Sequence, residues 1–274
     1  MQGRLSPPVG AHIQAFPWDT WEQEFAAAST ARVKLIEWIV DADRFEENPL
    51  LTDRGRARMH ELEQDTGTLV RTVCADCFMA WPLTTLNDPE RRARLAALSQ
   101  IVKAAAIYGV HTITLPFVDA SAIETADDRR AVIAAMTVAF PQAEKAGVRL
   151  ALETSLPPTE FRSLIDDLAP LPIGVNYDSG NSAALGYDVR QELDAYGSSV
   201  AVVHVKDRVR GGSTVPLGEG NADFPAFFAA LRAMDYSGPL ILQAARRGNE
   251  VETIRAYARF VQQHIGASVE RIQA

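Results

Sequence analysis

Val148-Arg149-Leu150-Ala151-Leu152-Glu153 is an apolar run that closes on a carboxylate, and three more runs of the same kind follow it. They are Ile173-Gly174-Val175-Asn176-Tyr177-Asp178, Ala201-Val202-Val203-His204 and Leu240-Ile241-Leu242-Gln243. Each is short, rich in branched apolar residues and succeeded by a helix-like stretch, the pattern of βα units on a parallel sheet. In a closed parallel barrel the strand ends converge on one face, so residues far apart in sequence meet there. Glutamate, aspartate, histidine and an amide oxygen form a mixed oxygen and nitrogen set that suits a divalent cation.

The same alternation runs upstream. Residues 1–5, 33–40, 68–74 and 112–115 read as strands, the last broken by Pro116. Helices are expected over 18–29, 52–64, 89–108, 127–146, 159–168, 189–196, 224–234 and 251–264, with Thr52 and Asp53 as caps and Gly109 and Gly147 as stops. Eight strands and eight helices in 274 residues predict an α/β fold, a single (βα)8 TIM barrel spanning residues 1–274 as one domain. No G-x-G-x-x-G follows the first strand, which argues against a dinucleotide-binding sheet.

Composition sets the outer limits. Hydrophobic residues make up 47% and charged residues 23%, enough for a large core and too apolar for wholesale disorder. A net charge of -8 disfavours nonspecific binding to nucleic acid, whose phosphates require Lys and Arg stripes. No apolar run approaches the roughly 18 to 20 residues that span a bilayer. Met1-Gln2-Gly3-Arg4 lacks the apolar centre of a signal peptide, so a cytoplasmic protein with no membrane partner is expected. The two cysteines fall in Cys74-Ala75-Asp76-Cys77, with no further Cys or His in range to complete a zinc site. A redox pair of the thioredoxin type opens a helix, whereas this one closes a β-branched run, so reduced thiols near a strand end are expected.

Over nearly its whole length, and most strongly from Leu150 to Gln243, the chain resembles the xylose-isomerase-like barrels, and within them the sugar phosphate isomerases and epimerases. The resemblance rests on Leu152-Glu153, Asp178-x-Gly180-Asn181, His204-Val205-Lys206-Asp207 and Gly218-Glu219-Gly220-x-x-Asp223-Phe224. Spacings of 25, 26 and 39 residues separate Glu153, Asp178, His204 and Gln243, one βα unit between successive positions. It implies Glu153, Asp178, His204 and Gln243 as ligands of Mn²⁺, Co²⁺, Mg²⁺ or Zn²⁺. The fourth position is normally a second glutamate, so Gln243 is a departure. In the epimerases the two glutamates are opposed acid–base groups; an amide takes no proton near neutral pH but offers its carbonyl oxygen to a hard cation.

That substitution leaves two ligand charges instead of three. One carboxylate at about 4 Å is worth on the order of 4 kcal/mol at an effective dielectric near 20. Weaker metal binding, a stronger Lewis acid and one-base chemistry are therefore expected.

The expected catalytic set is Glu153, Gln243 and Lys206, with Glu153 as the base and Lys206 or Arg210 stabilising an enediolate. The expected substrate-binding set is Glu37, Asn181, Asp207, Arg210 and Arg246; of the neighbours Lys206 and Asp207, one is expected to point in and steer substrate and the other to be structural. Arg210 stands where related ketose epimerases carry a substrate-binding arginine, and Asn181 replaces their histidine. Glu37 closes the second strand, where family members face the substrate; a core pairing with Arg4 is the alternative. Gly211-Gly212-Ser213, Gly218-Glu219-Gly220 and Arg246-Arg247-Gly248 suit an anion at the barrel rim. Phe16, Trp18, Phe78, Trp81 and Phe117 are an apolar pocket wall, loop anchors or a dimer contact.

The resemblance implies a metal-dependent isomerase or epimerase of a sugar or sugar phosphate, with homo-oligomers common among its relatives. Two alternatives use the same constellation: a dehydratase of a polyhydroxy keto acid, and a sugar-binding barrel that has lost catalysis.

Overall fold

The computed structural model describes residues 5–8 and 14–265. Seven parallel strands make one sheet: β1 (Leu35–Ile39), β2 (Leu69–Cys74), β3 (Thr112–Phe117), β4 (Arg149–Thr154), β5 (Gly174–Asp178), β6 (Val200–Val205) and β9 (Leu240–Leu242). Each strand lies beside its predecessor, and the sheet curls into a nearly closed barrel. A short antiparallel hairpin, β7 (Asp207–Arg208) with β8 (Thr214–Val215), rises from the end of β6. The first strand expected over 1–5 lies outside the described residues except for Leu5, which is buried with its N–H 3.2 Å from Glu24 Oε1.

The helices that wrap the sheet are α1 (Trp21–Ala31), α2 (Asp53–Thr66), α4 (Asp88–Tyr108), α5 (Ala126–Lys145), α6 (Pro158–Asp167), α8 (Val189–Tyr196), α9 (Phe224–Ala233) and α10 (Glu250–Ile265). Two short helices at the strand ends, α3 (Cys77–Ala80) and α7 (Ser179–Leu185), escape the sequence pattern because neither has room for an amphipathic repeat. The boundaries follow local chemistry. Thr52 Oγ1 accepts the Gly55 N–H at 3.0 Å to start α2, and Thr125 with Asp128 forms a capping box on α5. Gly109, at φ 93°, stops α4 in a conformation that only glycine adopts without strain.

Strand β3 runs on through Pro116, contrary to the expected break. Its ladder to β2 ends at Thr114, so beyond that residue the strand is paired on one side only, towards β4. A missing N–H is tolerated there.

Candidate metal centre and active site

Asp178 ends β5 and begins α7. Its Oδ1 accepts the backbone N–H groups of Gly180 and Asn181, both at 2.8 Å, which leaves Oδ2 aimed into the barrel. Gly180 has to be small: a Cβ there would run into the Lys206 side chain. Lys206 Nζ stands 3.4 Å from Asp178 Oδ2. One strand along, His204 Nδ1 lies 4.0 Å from Asp178 Oδ2 and 3.6 Å from Glu153 Oε2.

Glu153, Asp178 and His204 are all buried, and their ligand atoms lie within 4.8 Å of one another. Two atoms about 2.1 Å from a shared ion and roughly at right angles are about 3 Å apart, so a small contraction would seat a cation. The other ring nitrogen strengthens the fit. His204 Nε2 meets Glu37 Oε2 at 2.7 Å, the arrangement in which a metal-binding imidazole donates its second N–H to a carboxylate. The donor set therefore suits a divalent metal, with Nδ1 facing the carboxylates.

Charge balance points the same way. Burial would push the His204 imidazolium down, but Glu37, Glu153 and Asp178 together outweigh it and raise its pKa to about 9. A protonated imidazole thus supplies positive charge among the carboxylates, and a metal at Nδ1 would have to displace that proton. Burial, opposed by His204 and reinforced by Asp178, pushes Glu153 up to about 7. Its two oxygens are held by two amides: Asn176 Nδ2 to Oε2 at 2.7 Å and Asn181 Nδ2 to Oε1 at 2.8 Å.

Gln243 follows β9 at the same end of the barrel, its N–H bonded to the Val205 carbonyl at 3.0 Å. Its side chain is buried, with Nε2 on Gln14 Oε1 at 2.9 Å. Of the residues read as substrate-binding, Asn181 alone touches the triad from the rim. Glu37 faces inward onto His204, beneath the rim; the alternative partner Arg4 lies outside the described residues. Asp207 is turned away: its carboxylate accepts N–H groups of Gly218 and Gly220 at 2.9 Å and of Ala222 at 3.1 Å. It organises the 218–222 loop, and Gly220 can approach it only because it has no Cβ.

The arginine that reaches Asn181 lies two positions before the expected Arg210. Arg210 is exposed with its guanidinium against Gly186, whereas Arg208 Nη1 bonds Asn181 Oδ1 at 2.9 Å. Alternation along an extended chain puts residues 204, 206 and 208 on one side, a signal available in the sequence. Asn176, two before Asp178, was legible by the same rule. The rim arginines are tied up too: Arg246 bonds the Ser6 carbonyl and pairs with Glu250 at 3.2 Å, and Arg247 pairs with Glu219. Phe16, Phe78 and Phe117 are buried in the core, while Trp18 and Trp81 are only partly buried. Both cysteines are free and buried; Cys74 ends β2, but Cys77 does open a helix, α3.

A parallel barrel, seven-stranded among the described residues, with a carboxylate–histidine cluster at the C-terminal ends of β4, β5 and β6 defines a class of α/β barrel. The sequence profile of the xylose isomerase-like TIM barrel family matches residues 25–264, and the chain belongs to that family. Among curated proteins it is 27% identical over 254 residues to the L-ribulose-5-phosphate 3-epimerase UlaE of Shigella flexneri serotype 5b, covering 86% of each chain. The UlaE of Salmonella paratyphi C is 26% identical over 250 residues, again with 86% of each chain covered. Among solved structures, the IOLI protein with a bound zinc atom superposes with a TM-score of 0.74 at 16% identity, covering 91% of this chain and 93% of that one. A D-psicose 3-epimerase solved in the presence of D-fructose gives 0.73 at 16% identity, with 90% and 94% covered. At such identities the two structures speak to the fold. Among the described residues no helix is long and apolar enough to cross a membrane.

Proposed function

We propose that this protein is an isomerase or epimerase of a sugar or sugar phosphate that works with a divalent metal ion, Mn²⁺, Co²⁺, Mg²⁺ or Zn²⁺. The observation that carries the reading is the buried Glu153–Asp178–His204 cluster with Lys206 against Asp178. The curated relatives, epimerases of a ketose phosphate, support the substrate class. Glu153, Asp178 and His204 would hold the ion, with the Gln243 carbonyl oxygen as fourth donor. When bound, the ion supplies charge to polarise the sugar's carbonyl and hydroxyl oxygens.

The chain's own residues do the rest. Glu153 takes the proton from the carbon beside the carbonyl onto a carboxylate oxygen and delivers it to the former carbonyl carbon, the one-base course of an aldose–ketose isomerisation; inversion at the first carbon would need a second proton donor on its opposite face. Asn176 and Asn181 keep that carboxylate in place. Lys206 offsets the negative charge that develops on the enediolate oxygens. Arg208, through Asn181, and Asn181 itself line the approach to Glu153. Gln243 holds no proton for the opposite face of the carbon, which favours chemistry through one base. That same amide supports a second reading, dehydration of a polyhydroxy keto acid, and a third, sugar binding without turnover. Residues 1–274 are taken as one barrel domain.

The test is proton exchange. Ketoses and ketose phosphates, L-ribulose 5-phosphate and D-psicose among them, are incubated with protein and Mn²⁺ in D₂O and followed by proton NMR. Deuterium entering one carbon, with loss of exchange in Glu153→Gln, is the expected result. Release of water with a new enol absorbance would move the assignment to the dehydratase. Binding with no exchange for any sugar would overturn the enzyme reading.

A further inference from the structure

A carboxylate can face a cation either way round, but an amide must be turned so that oxygen, not nitrogen, points at the ion. Gln243 stands where a carboxylate is the rule, so something has to set its orientation. The structure places two polar side chains behind it. Gln243 Nε2 donates to Gln14 Oε1 at 2.9 Å, and Gln14 Nε2 donates in turn to Asp76 Oδ2. The other oxygen of Asp76 is taken as well, by the thiol of Cys74 at 2.9 Å.

We infer that Asp76 and Gln14 form a relay that fixes the polarity of the Gln243 amide, turning its carbonyl oxygen towards the metal centre. The inference rests on the metal reading given above. The direction of the chain follows from its far end. An ionised carboxylate only accepts, so Gln14 must turn its NH₂ to Asp76, and its oxygen then faces Gln243. Gln243 must answer with its own NH₂, which puts its oxygen at the opposite corner of the planar group. Cys74 supports the same arrangement. Burial, and then the charge of Asp76, raise its thiol well above the ordinary range, so it stays an S–H donor. Asp76 itself, pushed up to about 6 mainly by burial, is ionised at and above neutral pH. Gln14 and Asp76 are positioning residues: they act on the ion through Gln243. This gives Asp76, the third residue of the Cys74–Cys77 motif, a purpose that involves no redox chemistry.

The experiment is Mn²⁺ titration of metal-free protein, read by free-Mn²⁺ electron paramagnetic resonance and by calorimetry, on Gln14→Met alone and on Gln14→Met combined with Gln243→Glu. Methionine keeps the length of Gln14 and removes both polar ends. The single variant is expected to lose 10- to 100-fold in Mn²⁺ affinity, the usual cost of losing an outer partner of a ligand. Gln243→Glu alone is expected to bind more tightly than wild type, and adding Gln14→Met to it to change affinity by less than twofold, because a carboxylate presents oxygen either way. Asp76→Leu, as a second route, is expected to weaken Mn²⁺ binding in the Gln243 protein and not in Gln243→Glu. Thermal melting of each metal-free variant checks that the fold is kept. Affinity within twofold of wild type in Gln14→Met, or an equal loss in the Gln243→Glu background, would overturn the relay while leaving the metal site standing. Wild-type protein that binds no Mn²⁺ would overturn the metal reading and the relay with it.

Discussion

Glu37 and His204, 167 residues apart in sequence, meet inside the barrel with Oε2 and Nε2 2.7 Å apart and neither side chain exposed. β1 and β6 thus contribute one functional unit across the sheet. The carboxylate holds the proton on Nε2 and the ring in place, which leaves Nδ1 as the nitrogen facing Glu153 and Asp178. Replacing Glu37 with Gln keeps the shape and removes the charge. Mn²⁺ affinity is expected to fall 10- to 100-fold, measured by titration. Unchanged affinity would show that His204 needs no orienting partner.

Metal should stabilise the fold. An ion at about 100 times its dissociation constant adds roughly 2.7 kcal/mol, which raises the melting temperature of a domain this size by about 5 to 10 °C. The shift is expected in wild type and is expected to vanish in Asp178→Ala. A shift of equal size in that variant would place the ion elsewhere.

Asp76 should make the metal-free protein less stable as pH rises. Its folded pKa of about 6 exceeds the ordinary 3.8, chiefly through burial. The folded state therefore holds the proton longer than the unfolded chain does. The stabilising contribution is complete below about pH 4 and is lost as pH climbs through about 6. Two units correspond to roughly 3 kcal/mol at most. Melting temperatures from pH 4 to 8 should show Asp76→Asn gaining on wild type across that window and running parallel above it. Parallel curves throughout would refute the assignment.

Asp207 should matter for stability more than for substrate affinity. Its buried carboxylate holds three loop N–H groups, and charge-assisted bonds of this kind are worth about 1.5 to 3 kcal/mol each. Asp207→Ala is expected to cost about 3 kcal/mol or more in urea unfolding. A loss below about 1 kcal/mol would mean that the loop is held by other means.

Arg208 and Arg210 should behave differently. Arg208 reaches Glu153 through Asn181, and Arg210 does not. Once a substrate is in hand, Arg208→Gln is expected to lower kcat at least tenfold, and Arg210→Gln to stay within about twofold of wild type. The reverse pattern would restore Arg210 to the site.

The order of elements was open to reading because it is local. Apolar strands of three to six residues, caps such as Thr52 and stops such as Gly109 are written in adjacent residues, and the backbone obeys them wherever the chain lies. Glu153, Asp178 and His204 were legible for the same reason: each ends its strand, and parallel strands put their ends on one face. Beyond the strand end spacing was a poorer guide: Lys206 and Asn181 do stand at the cluster, but other positions do not. Arg210 was chosen by spacing, but the hairpin of β7 and β8 turns Arg208 to Asn181 instead. Of Lys206 and Asp207, adjacent spacing could not say which points in; a loop eleven to fifteen residues later captures the Asp207 carboxylate.

The sequence by itself determined the βα alternation, the barrel and the strand-end positions of Glu153, Asp178 and His204, because hydrophobic period and strand direction suffice for these. Only the tertiary structure decided that Glu37 serves His204, that Asn176 and Asn181 hold Glu153, and that Gln14 and Asp76 stand behind Gln243. Those pairings depend on which side chains face each other across a closed sheet, at separations of 23 to 229 residues. Hydrogen-bond direction is set by the partner a group finds, and sequence spacing carries no information about partners that far away.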